Sequence, residues 1–258
     1  MDAAVAIRKG LTRWRASGLH LLISATIAAA VLTFMLAVWY PRPLFEAEGG
    51  LGLVFILVGV DVVIGPLITL IIFKSGKWGL KFDLWTIATL QLAALFYGGY
   101  VVFAARPVFL VLIKGQFEVV TAVELKPEWL KEARRPEFRS LPVSGPKMVA
   151  FDMPTDASES KAMVFSAVFE GRDLQHYPKY YLPYPERARA ALGTALSIDT
   201  VRRQSPHAAR VIDAYLEESG RRDADVRYYP MRTRFEWIAV VVDAKSGDVV
   251  KMLLVPDA

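Results

Sequence analysis

Hydrophobic positions in this chain come in two textures. Up to about residue 105 they form long unbroken runs; beyond it they alternate with charges. The first run, LHLLISATIAAAVLTFMLAVWY at 19–40, sits in a window with no charge between Arg15 and Arg42. The second, GLGLVFILVGVDVVIGPLITLIIF at 50–73, holds a single charge, Asp61. The third, LWTIATLQLAALFYGGYVVFA at 84–104, holds none. A helix of roughly 20 apolar residues crosses a hydrocarbon core. Lipid offers the backbone no hydrogen-bond partner, so each run is predicted to be a transmembrane helix. Trp39, Tyr40, Trp85, Tyr97 and Tyr100 lie toward the ends of these runs, as interfacial aromatics do. The first run is too long for a signal-peptide core, and its small-residue triplet Ala28-Ala29-Ala30 lies inside it rather than after it.

From residue 106 the pattern predicts an α+β domain. VFLVLI at 108–113 and FEVVTAVEL at 117–125 read as a hairpin joined by Lys114, Gly115 and Gln116. Pro127 opens a short helix, 147–153 is a strand, and 158–171 is a helix. YPKYYLPYP at 177–185 is extended, either presented to a partner or packed over the domain's own core. Pro185 begins a helix to about Leu196, and one helix runs from Thr200 to Ser219 with Gly220 as its stop. FEWIAVVVD and VVKMLLV form a terminal hairpin around Lys245, Ser246 and Gly247.

Charge sets the orientation. Residues 1–105 carry 8 Lys/Arg and 5 Asp/Glu, the remainder 23 and 21. The net +5 is spread over both parts, which argues against nucleic-acid binding. Arg8, Lys9, Arg13 and Arg15 precede the first run, and Lys74, Lys77 and Lys81 fill the link between the second and third. Basic residues favour the cytoplasmic side. The expected plan is a cytoplasmic N-terminus at 1–18, a three-helix membrane domain at 19–105, and an extracytoplasmic domain at 106–258. The first link, YPRPLFEAEGG, reads as a solvated connector. There is no cysteine, which excludes disulfides and thiol chemistry.

Asp61 is the most informative residue. An ionised carboxylate in mid-membrane costs several kcal/mol, roughly 2.5–3.5 on insertion scales, and needs shelter. Helical spacing sets Asp61, Gly65 and Thr69 on one stripe, with Pro66 loosening the ladder. Depth counting brings Tyr97 and Thr33 level with Asp61 and sets Gln91 about 7 Å deeper toward the cytoplasm. Gln91, Ala94 and Gly98 form a short stripe that permits close helix packing. Three readings of Asp61 stand open: glue between the chain's own helices, a site for another protein's membrane helix, or part of a proton or ion path. No phosphate loop, metal spacing among His20, His176 and His207, or nucleophile elbow is present, so no catalysis, metal or cofactor is expected.

Asp61 with Gly65-Pro66, Asp83-Leu84, Gln91, Tyr97-Gly98 and the juxtamembrane Ala105-Arg106-Pro107 together resemble the TfpX/TfpZ family of type IV pilin accessory proteins of Gram-negative bacteria. The resemblance implies an inner-membrane protein with a periplasmic C-terminal domain. It would act without chemistry, binding or stabilising a cognate major pilin among other pilus assembly components. On that reading the candidate partner-binding residues are Asp61, Gly65, Pro66, Thr69, Gln91, Tyr97, Gly98 and Arg106. A membrane-anchored sensor with a ligand-binding outer domain and a small transporter subunit are the alternatives.

Overall fold

A computed structural model describes residues 12–256. The basic residues Arg8 and Lys9, and most of the predicted cytoplasmic segment 1–18, lie outside the described residues. The chain divides into two compact units, one from residues up to Ala37 and Gly50–Phe103, the other from Val38–Gly49 and everything after Phe103.

The first unit is helical. Helix α1, Arg13–Phe34, continues as a π-helical turn, Met35–Trp39. The connecting segment contributes a short helix, α2, Leu44–Ala47, to the other unit. The second apolar run is built from α3, Gly50–Val58, a π-helical stretch Gly59–Ile64, and α4, Gly65–Ile72. The third is α5, Leu80–Ala104. Among the described residues, two helices, Arg13–Trp39 and Leu80–Ala104, are long and apolar enough to cross a membrane. The expected third long α-helix is instead divided. Pro66 has no N–H and its ring crowds the carbonyl four residues back, so the turn before it widens.

The second unit is a mixed seven-stranded sheet. Its strands are β1 Pro107–Ile113, β2 Gln116–Thr121, β3 Lys147–Phe151, β4 Tyr181–Pro183, β5 Val226–Arg232, β6 Trp237–Asp243 and β7 Val249–Val255. They run in the order β4-β3-β1-β2-β5-β6-β7. The β1–β3 and β2–β5 pairs are parallel and the others antiparallel. All of β1 is buried, which is why PVFLVLI reads as a continuous apolar run: both faces are covered. Leu110 and Leu112 enter one core with Phe117, Tyr229, Ile238 and Val240. Phe109 and Val111 enter the opposite core with Phe138 and Tyr181. The predicted first hairpin turns on Lys114 and Gly115, both at positive φ, the geometry of a tight two-residue turn.

Four local expectations are corrected or completed. The helix predicted at 200–219 is two, α9 Ile198–Gln204 and α10 Pro206–Ser219. Pro206 bars Ser205 from helical ψ, and Ser205 instead caps α10, its Oγ accepting from the Ala208 N–H at 3.2 Å. Strand β5 lay in a stretch with no predicted element. Its Pro230 would forbid a fully paired central strand, but β2 reaches only Met231 and Arg232. The YPKYYLPYP segment packs over the core: Tyr177, Tyr180, Tyr181 and Tyr184 are all buried, Tyr184 opening helix α8, Tyr184–Ala191. The helices predicted at Pro127 and at 158–171 form as α6, Pro127–Lys131, and α7, Ala157–Phe169, where only Met163 is buried and Phe165 and Phe169 stack on each other in the open.

The fourth concerns the link between the first two apolar runs, which is no solvated connector. Tyr40, Leu44, Phe45 and Ala47 are buried in the sheet unit, where Leu44 and Ala47 join the Phe117–Tyr229 core. The Ala47 carbonyl accepts from the Phe235 N–H at 3.1 Å and from Thr233 Oγ1 at 3.2 Å. The polar residues of the link, Arg42, Glu46 and Glu48, concealed its alternating apolar positions. Burial drives the Glu48 carboxyl up to about 7, with Glu124 adding to the rise and Arg234 opposing it.

Candidate functional site

The helical unit carries polar groups turned toward one another inside an apolar exterior. Gly65 donates its N–H to the Val60 carbonyl, five residues back, as a π-helical turn requires. The next bond in that series would come from residue 66 to the Asp61 carbonyl, and proline has no N–H to give. Gln91 on α5 supplies the missing donor: its Nε2 lies 3.2 Å from the Asp61 carbonyl oxygen. The approach is close enough that a Cβ on Gly65 would lie 1.9 Å from Gln91 Nε2. Gly65, Pro66 and Gln91 are thus one device. Proline frees a carbonyl, glutamine caps it, and glycine makes room.

Helix α1 provides the other side. Ser17 Oγ donates to the Pro66 carbonyl at 2.8 Å, and His20 Nδ1 lies 2.7 Å from Thr69 Oγ1. Ser24 and Ala28 continue this buried edge at helical spacing. His20, Ser24 and Ala28 line a cavity of about 130 Å³ together with Asp61 and Gln91. The Asp61 Oδ1 atom is buried there without a hydrogen-bond partner.

A second cavity, of about 410 Å³, is a groove between the π–α4 segment and α5. Ile64, Ile68 and Ile72 form one wall, Phe82, Thr86 and Leu90 the other, and Gly65 and Gln91 lie between them. Asp83, at its end, pairs with Lys77 at 2.6 Å.

Of the candidate residues, Asp61, Gly65, Pro66, Thr69 and Gln91 come together. Gly98 and Ala94 are half-buried and line neither cavity. Tyr97 is 71% exposed, and Thr33 Oγ1 donates to the Ala29 carbonyl of its own helix, so neither meets Asp61. The depth count failed on its starting points. Helix α1 begins at Arg13 rather than residue 19, and α5 at Leu80 rather than 84. Counted from the observed ends, the same eleven residues that separate Asp61 from Ile72 reach Ser24 and Gln91. Ser17 precedes the run at 19–40 and His20 stands at its start, so a depth count begun at residue 19 brings neither near Asp61; the spacing of Ser17, His20, Ser24 and Ala28 is the available signal. Arg106 belongs to the sheet unit. It is buried, donates from Nη2 to the Pro142 carbonyl at 3.2 Å, and its pKa is lowered by that burial while Tyr40 pulls it back up.

Among the described residues no group of three His, Cys, Asp or Glu side chains is placed to hold a metal ion.

Comparison with known proteins points to one family. A model described as fimbrial assembly protein FimB matches residues 8–49, which covers α1 and the link buried in the sheet unit. Over 171 residues the chain is 35% identical to the fimbrial assembly protein of serogroup I from Dichelobacter nodosus, and 34% identical to that of serogroup E1. The match covers 65% of this chain and 65% of each of those relatives, a little under two thirds of their length. A third relative, the fimbrial assembly protein of serogroups C1 and C2 from the same organism, is 35% identical over 120 residues, which is 45% of this chain and 91% of that one. No solved structure matches. The fimbrial role implied by the sequence resemblance is supported at this level, and the chain belongs to the fimbrial assembly protein family.

Proposed function

We propose that this chain is an inner-membrane, non-catalytic assembly factor that holds the membrane helix of a type IV pilin in the groove between α4 and α5. The observation that carries the reading is the groove itself, open along its length, with Gly65 and Gln91 between its walls. In lipid, helices associate by close packing and by hydrogen bonds rather than by hydrophobic exclusion, so a groove with small and amide-bearing residues suits an apolar helix. The neighbouring cavity adds a carboxyl oxygen, on Asp61, that lacks a donor. A client helix with a donor at that depth would satisfy it.

Parity supports three crossings. The link Val38–Gly49 and the residues after Phe103 form one unit, so they share one side of a membrane. The chain between them must then cross an even number of times. With α5 crossing once, the segment Gly50–Ile72 crosses as well; at about 1.5 Å per residue it spans roughly 30 Å despite its π-helical middle. Lys74 and Lys77, and Lys81 at the start of α5, support a cytoplasmic face on the opposite side, and with it a periplasmic sheet unit. That unit would engage the pilin's soluble head.

The test is co-purification of the tagged full-length chain with its neighbouring pilin. Ile68→Trp, which fills the groove without touching the polar cluster, is expected to reduce recovered pilin at least about tenfold at equal abundance of the chain. Asp61→Asn, which keeps size but supplies its own donor, is expected to reduce it less. Undiminished pilin with Ile68→Trp would end the groove reading.

A further inference from the structure

A cavity in the sheet unit has no part in the proposal above. It holds about 400 Å³ between helices α9 and α10 and strands β5, β6 and β7. Val201, Ala208, Ile212, Ala239 and Val255 give it an apolar lining. Its rim carries Trp237, 45% exposed, and the exposed Gln204 and Pro256. This is the size and character of a small-molecule pocket.

Two polar atoms distinguish it from a packing gap. The Tyr228 side chain is only 1% exposed, and its hydroxyl is buried with no partner. His207 Nε2 is likewise buried and unpartnered. The tautomer of the neutral ring follows from its other nitrogen. Arg210 Nη2 lies 3.2 Å from His207 Nδ1, and a guanidinium can only donate. Nδ1 therefore accepts and Nε2 carries the proton. The lining thus offers an imidazole N–H and a phenol O–H, and leaving buried donors unmet is costly. No charged side chain is among the residues that line the cavity, and nearby Arg202 is held by Asp213 at 2.6 Å and Asp223 at 3.2 Å. An ionic guest would meet no counter-charge within the lining itself.

We infer that this cavity is a binding site for a small neutral molecule with an apolar ring or branched aliphatic body and one carbonyl oxygen, the oxygen accepting from Tyr228 and His207. The site gives the assembly factor a ligand-responsive outer domain, separate from the membrane groove.

The probe is acetophenone, a ring with one carbonyl, set against isopropylbenzene, which has nearly the same shape and no acceptor. The full-length chain is labelled with 5-fluorotryptophan and held in lipid nanodiscs, with empty nanodiscs fixing the free probe concentration. The Trp237 fluorine resonance, identified by its loss in Trp237→Phe, is expected to shift saturably with acetophenone. Tyr228→Phe is expected to weaken acetophenone about fivefold, the worth of one net hydrogen bond. It should leave isopropylbenzene as it was. The other tryptophan resonances report that the variant is folded, and His207→Ala repeats the test from the second donor. No saturable shift with acetophenone, an undiminished acetophenone affinity in both variants, or equal losses for both probes would overturn the inference.

Discussion

The two units of this molecule both hold many apolar side chains and pack them in opposite senses. In the sheet unit the apolar side chains point inward: every residue of β1 is buried, and charges lie on the surface. In the helical unit Leu22 is 64% exposed and Phe96 74%, while Ser24 and Thr69 are 8% and 2% exposed. A protein in water hides its leucines, and one in lipid hides its serines and threonines. The contrast is the one expected of a helical unit placed in lipid beside a sheet unit placed in water, and it explains why the polar cluster around Asp61 is assembled from the residues that hydropathy alone would overlook.

The comparison can be broken by substitutions of similar size in the two units. Phe117→Ala removes a fully buried ring from the sheet core and should cost about 3–5 kcal/mol, seen as a large fall in the unfolding midpoint of that unit; Phe96→Ala should leave it unmoved. Leu44→Ala sharpens the point, because Leu44 lies between two long apolar runs yet is 1% exposed. A solvated connector would lose nothing. Membership of the sheet core predicts a loss of about 2–5 kcal/mol by the same measurement.

Glu48 supplies a pH test of the same burial. Its folded-state carboxyl titrates at about 7, above the value of about 4.3 for an exposed glutamate. The folded state therefore binds its proton more tightly than the unfolded state. This contribution to stability is fully present below about pH 4 and is lost as pH rises through 7. Glu48→Gln should remove that part of the pH slope, so that its stability relative to the parent improves between pH 5 and pH 8 by about 2–3 kcal/mol. Equal stability differences at the two pH values would place the carboxyl in water.

The smallest effect belongs to the helical unit. Gln91→Leu keeps the side chain's bulk and leaves the Asp61 carbonyl without its donor, at a cost of about 1–3 kcal/mol. The measurement is resistance of the helical unit to a denaturing detergent. Gln91→Glu, which accepts but does not donate unless protonated, should behave like leucine at neutral pH.

Much of the architecture was legible in the sequence where a single pattern ruled. Unbroken apolar runs gave the helices α1 and α5, and β-branched runs gave β1, β2, β6 and β7. What escaped had two patterns in conflict. The link Val38–Gly49 mixes prolines and charges with buried Leu44, Phe45 and Ala47, and its partners at Thr233 and Phe235 are nearly two hundred residues away. Strand β5 carries Pro230 and two arginines, Arg227 and Arg232, that mask its alternation. At the site, Gly65, Pro66 and Gln91 stand out in the sequence, but not the hydrogen-bonding device they form, because a π-helical turn leaves no mark in hydropathy. Tyr97 enters by depth counting and Arg106 by the family resemblance, and burial distributes them differently: Tyr97 outward, Arg106 inward.

The sidedness of the two links tests the account most directly. The chain has no cysteine, so single cysteines report without background. Arg42→Cys, Ser75→Cys and Arg221→Cys each replace an exposed residue, in the first link, the second link and the sheet unit. With a membrane-impermeant maleimide on intact spheroplasts, the account predicts labelling at 42 and 221 together and labelling at 75 only after lysis. Labelling at 75 in intact spheroplasts, or opposite behaviour at 42 and 221, would contradict it.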